Sequence, residues 1–270
     1  MEPITTADAE TLAQDCRLRA CYYQFLARLF YEELTDELID EFVATQRILP
    51  LEDDAAEDER AFAQGSNRML KYLQRKTPDT LTQTRCDFAH TFLGAGSFTK
   101  VPVSPFESVY ANDGRLIMQG ARDTACALYA AEGLEVQDAY NMPEDHVSFE
   151  FQYMALLLNR QAEALEEVAA SYGDKAADRA AAYELRAKNF FADHLAPWVP
   201  MFCEEATELV STAFYRGLLQ TTAAWMALEC TAYGLDGVAA QREVRERAHE
   251  AHAAAEANTA LLHGPLKEVA

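Results

Sequence analysis

Apolar residues recur at steps of three and four from one end of this chain to the other, and no stretch sustains the strict alternation of a strand. Residues 9–31 show the pattern most fully, with Leu12, Leu18, Cys21, Tyr22, Phe25, Leu26, Leu29 and Phe30 on an amphipathic period. A second segment, 34–49, carries Leu38, Ile39, Phe42 and Val43, with Thr35 placed to cap it. An acidic connector over 50–60 leads to a helix ending near Arg75, with Phe62, Met69, Leu70 and Leu73 inward. Thr77-Pro78-Asp79 breaks the chain before a helix over 81–93. Helical patterning returns over 115–131, where Gly133 ends it, and again over 143–170, where Gly173 does. It continues over 174–195, 201–215 and 217–230. These segments predict an all-α, single-domain bundle of about ten helices over 1–235. An Ala-rich charged tail over 236–270 is expected to be helical or partly disordered. One long irregular stretch interrupts the helices, where Gly94, Gly96, Pro102 and Pro105 lie among Phe92, Phe98 and Phe106; long ordered loops of this kind are often functional.

Charge narrows the classes of partner. Lys and Arg number 23 against 44 Asp and Glu in 270 residues, a net charge of −21. Such a surface repels nucleic-acid phosphates and anionic lipid headgroups and attracts cationic segments. No run approaches the roughly 18 apolar residues of a membrane span, and the acidic N-terminus is unlike a signal peptide. The six cysteines are scattered without a CxxC pair, which argues for reduced thiols in a cytoplasmic protein and against a metal site. Phosphate-loop, HExxH and GxSxG patterns are missing. His249 and His252 form the one close histidine pair and read as solvated tail residues.

Two clusters stand out. Residues 101–110 combine the stiffening Pro102 and Pro105 with Phe106, Glu107, Ser108 and Tyr110. They read either as a rigid loop packing its own aromatics or as a binding loop. Residues 142–146 open the strongest helical segment: Pro143 suits its first position, and Glu144 and Asp145 would complement the dipole there. They read either as a good helix start or as a polar corner that binds a cationic group or donates hydrogen bonds. Asp145 and His146 are adjacent, so on a helix their side chains diverge and make no catalytic pair alone.

In this order the clusters resemble the TorD/DmsD (NarJ-like) chaperones of molybdenum oxidoreductases. Pro143, Asp145, His146 and Met154 match the E-P-x-D-H helix start, with Met142 in place of the leading acid. Pro105, Glu107, Ser108, Val109 and Tyr110 match the family's proline-rich P-x-E-S-V-Y stretch. Tyr23, Leu26, Leu29 and Phe30 are similar to its first-helix pattern, and Phe191, His194, Leu195 and Trp198 to its F-x-x-H-L-x-x-W segment. Together these span about Ala20 to Glu229. The resemblance implies an all-helical cytoplasmic chaperone without catalytic residues. It would bind the apo catalytic subunit of a molybdenum oxidoreductase, its twin-arginine signal peptide, or both, until the cofactor is inserted. It implies no cofactor beyond weak GTP binding in some members, no metal, no nucleic acid, no stable membrane insertion, and a monomer or domain-swapped dimer. A twin-arginine leader has a cationic front and an apolar middle. Asp145 and Glu107 are therefore expected to accept the arginines, with Pro143 and Ser108 among the peptide-binding residues and His146 ordering the corner by a hydrogen bond or tuning it with pH. Phe106, Tyr110 and Tyr23 are expected to wall the apolar part. A helical adaptor for another partner and a nucleotide-dependent hydrolase are the alternatives.

Overall fold

A computed structural model describes residues 5–52, 54–95, 103–111, 115–137, 142–170 and 174–237, with 239 and 241. Gly96, Phe98, Pro102, Gly173, His249 and His252, singled out in the sequence, lie outside these residues. All elements are helical: α1 Thr6–Tyr31, α2 Asp36–Thr45, α3 Glu57–Gln74, α4 Thr80–Phe92, α5 Glu107–Ala111, α6 Gly120–Ala131, α7 Val147–Ala169, α8 Asp174–Phe190, α9 Val199–Thr207 and α10 Ala213–Tyr233. Among the described residues there is no strand, only one isolated antiparallel bridge between Phe106 and His146. No described helix is long and apolar enough to cross a membrane.

Local chemistry accounts for many of the ends. The Thr35 hydroxyl accepts from the Leu38 N–H at the start of α2, as its place in the sequence predicts, and Thr212 does the same for Tyr215 at α10. Gly133 adopts φ +75° just after α6. Two helix pairs organise the core. The first joins α1 to α7, where Tyr23 and Phe30 meet Phe151 at ring separations of 5.7 and 6.2 Å. Phe30 also packs on Phe92 and Phe202, which carries this aromatic layer to α4 and α9.

The second pair, α3 on α10, corrects the sequence reading of Gly217 as a boundary between helices. Gly217 lies inside α10, and a Cβ there would stand 2.7 Å from the Gly65 carbonyl oxygen; a Cβ on Gly65 would stand 2.8 Å from the Gly217 carbonyl oxygen. Both glycines are therefore required by backbone contact, which overrides their poor helix propensity. Gly217→Ala is expected to cost about 2 kcal/mol, since neither backbone can move aside without repacking. A urea midpoint unchanged from wild type would refute that contact.

Three further boundaries differ from expectation. The 115–131 segment becomes helical only at Gly120. Arg115 and Met118 before it take positive φ values of 48° and 58°, a conformation that costs non-glycine residues roughly 1–2 kcal/mol each. The segment over 143–170 becomes helical at Val147, so Pro143, Glu144 and Asp145 form the preceding turn instead of its first turn. The third is a π-helical turn at Phe191–Leu195, closed by the Ala196 N–H on the Phe191 carbonyl at 2.8 Å.

Candidate functional site

Three motif segments, distant in sequence, meet at one corner. The 105–108 loop and the 142–147 turn are joined through their backbones. The Glu107 N–H donates to the Asp145 carbonyl at 3.0 Å, and the Val147 N–H to the Pro105 carbonyl at 2.9 Å. Asp145 adds a side-chain tie, its Oδ2 accepting from the Ser108 N–H at 2.8 Å. His146 caps α7: its Nδ1 accepts from the Ser148 N–H at 3.2 Å, so the ring is neutral at that nitrogen. The ring lies edge-on to Phe106 at 5.0 Å and beside Phe149 at 5.9 Å. Burial pushes the His146 pKa down to about 3. Pro143 shapes the turn and accepts from the His146 N–H through its carbonyl.

The third segment enters through the π-helical turn. The extra residue in that turn swings His194 onto Glu107, with Nδ1 donating to Oε2 at 2.9 Å, and sets Trp198 so that its indole N–H donates to Glu150 Oε2 at 3.1 Å. Glu150 is fully buried. Burial, then the charge and hydrogen bond of Glu107, raise its pKa well above the carboxylate range. Glu107, Glu150 and His194 are also the described group whose donor atoms lie close enough to hold a metal ion, all within 4.8 Å of one another. His194 already occupies Glu107 Oε2, and the Trp198 indole N–H occupies Glu150 Oε2.

The corner thus brings together Pro143, Asp145, His146, Glu107, Ser108 and Phe106, but not in the expected attitude. Asp145, Ser108, His146 and Glu107 are buried, and both carboxylates face inward to backbone and side-chain donors. In this conformation neither is presented to a guanidinium from outside. The reason is the joining of the three segments, which folds the Asp145 carboxylate under the 105–108 loop and turns that of Glu107 onto His194. Tyr23 stands apart on α1, buried, its hydroxyl donating to Glu229 at 3.0 Å beside the bidentate Arg19–Glu229 pair. Tyr110 is stacked on Trp198 at 5.3 Å, with its hydroxyl donating to Glu205.

Sequence reasoning missed Glu150, Glu205 and Glu229. Glu150 sits among Phe149, Phe151 and Met154, so an acid on an otherwise apolar stripe was the available signal. Nothing local marks the other two. On the outer side of the turn, Glu144 takes a bidentate hold on Arg122 at 2.6 and 3.2 Å. Burial opposes its charge, but the Arg122 hydrogen bonds bring its pKa below the ordinary carboxylate value. The surface beside the corner carries Leu116, Ile117 and Met118, exposed by 58, 47 and 56%. An apolar cleft of 460 Å³ between α1 and α2 is lined in part by Leu18, Phe25, Leu38 and Phe42.

Comparison with known proteins adds to this geometry. The family model described as "Nitrate reductase delta subunit" matches residues 55–204. The "Chaperone protein TorD" of Vibrio cholerae serotype O1 (strain M66-2) is 26% identical over 199 residues, covering 73% of this chain and 83% of that protein. That of Vibrio vulnificus (strain YJ016) is 25% identical over 216 residues, covering 78 and 92%. That of Psychrobacter sp. (strain PRwf-1) is 24% identical over 208 residues, covering 74 and 85%.

Proposed function

Because the chain belongs to the nitrate reductase delta subunit family of redox-enzyme maturation chaperones, we propose that it holds the apo catalytic subunit of a molybdenum oxidoreductase in the cytoplasm, through that subunit's twin-arginine leader, until the cofactor is in place. The family is one of chaperones, not of catalytic enzymes. The buried motif corner fits that division of labour. Its acids and histidine brace three segments of the fold, and recognition falls to the surface around them.

The observation that carries the reading is the exposed Leu116–Ile117–Met118 run, which follows directly on an arginine tied to the acidic end of α9. On a body of net charge −21, a surface of this kind favours a partner that is cationic and apolar in turn. The test is a titration with a synthetic leader peptide, two adjacent arginines followed by a leucine-rich stretch, at low and high salt. Affinity is expected to fall at least tenfold when both arginines become glutamine, and to weaken as salt screens the acidic surface. Equal affinity for the two peptides would defeat the reading.

A further inference from the structure

Arg115 sits in a formed cradle. Its Nη1 and Nη2 donate to Glu205 Oε1 and Oε2 at 2.9 and 2.6 Å, a fork-to-fork pair. Its guanidinium lies 5.2 Å from the centre of the Tyr110 ring. The Tyr110 hydroxyl also reaches Glu205, and its ring is backed by the buried Trp198. Carboxylate and aromatic face are thus fixed by the core, while Arg115 itself is half exposed. The occupant is held awkwardly, because Arg115 and Met118 both take left-handed backbone angles. Three exposed apolar side chains follow it, so the segment reads cation first and apolar after, the order of a twin-arginine leader. Glu208 lies one turn further along, exposed beyond the end of α9, and adds to the negative field.

From this the geometry points to Glu205 and Tyr110 as a guanidinium-binding site for an arginine followed by apolar residues, with residues 115–118 of this chain as its internal occupant, displaced when the leader docks. The inference rests on the leader reading above and names the site within it. Displacement exchanges one Arg–Glu205 pair for another and releases two strained residues. The internal occupant therefore lowers the apparent affinity by the fraction of time the cradle is filled.

The experiment uses the full chain and a fluorescent synthetic leader peptide, followed by anisotropy. Arg115→Gln, which empties the cradle, is expected to bind about tenfold more tightly than wild type. Glu205→Gln is expected to bind at least tenfold more weakly. The Arg115→Gln/Glu205→Gln double variant should lose the gain, as should a peptide whose arginines are glutamine. Amide exchange over 115–119 should quicken in wild type as peptide is added, a change that a merely structural ion pair would not show. If wild type, Arg115→Gln and Glu205→Gln bind the peptide alike, the cradle is not the site, although the leader reading stands. If none of the three binds the peptide, the leader reading itself fails and the inference with it. Thermal midpoints within a few degrees of wild type establish that the variants are folded.

Discussion

Trp198→Ala is expected to lower the stability of this protein by about 4 kcal/mol, the range for truncating a large buried aromatic. Trp198 is 1% exposed, stacks on Tyr110 and packs against Phe202 at 5.8 Å. Its indole N–H is also the donor to Glu150, so truncation both opens a cavity and leaves a buried carboxyl short of a partner. Trp198→Phe separates the two effects. It retains most of the packing and loses the donor, so it should cost about 1–2 kcal/mol. Guanidinium unfolding of both variants measures the difference. A loss below about 1 kcal/mol for the alanine variant would mean that the indole is not a keystone of the core. Against a total stability of roughly 5–15 kcal/mol, the expected loss would leave a visibly unstable protein at 37 °C.

The second large effect is a dependence on acidity with an assignable sign. The native His146 pKa lies at about 3 and its ordinary value is 6.5. Between those values the unfolded chain binds a proton that the native protein refuses. Stability from this group is complete above pH 6.5 and falls by about 1.4 kcal/mol per unit as acid is added, roughly 3 kcal/mol by pH 4.5. Glu150 acts in the opposite sense. Its native pKa is raised above 4.5, so above that value the unfolded chain gives up a proton that the native protein keeps. Its contribution is present below pH 4.5 and declines as pH rises toward the native pKa. Two variants isolate these limbs. His146→Asn retains a capping side chain; its stability relative to wild type should improve by about 3 kcal/mol between pH 7 and 4.5. Glu150→Gln should gain on wild type as pH rises from 5 to 8. Variant and wild-type profiles that run parallel would show that these groups do not titrate differently on folding.

Much of the architecture is legible in the periodicity alone. The stripe from Leu12 to Phe30 is α1, and Thr35 caps α2. The order of the motif segments correctly brings Glu107 and Asp145 to one corner, although Glu107 and its partner His194 lie 87 residues apart. What the pattern misses is set by tertiary contacts. The start of α7 moves from Pro143 to Val147 because the 105–108 loop pairs with the turn and holds it out of the helix. Gly217 reads as punctuation until Gly65 is placed against it. Asp87 gives no local sign that its carboxylate will take the N–H groups of Ser211 and Thr212, each at 2.8 Å, at the start of α10. The expected direction of Asp145 and Glu107 fails for the same reason: spacing shows which residues meet, and burial decides which way they face.

The braced corner also sets the order in which the molecule can be completed. A nascent chain that has left its ribosome only as far as residue 170 already carries Glu107, Asp145 and Glu150. It has yet to receive His194 and Trp198, the side chains that hydrogen-bond two of those acids. Until then Glu107 and Glu150 lack those partners, although α7 already has α1 to pack on. Completion of this corner therefore waits on residues more than 40 positions beyond the acids that it encloses.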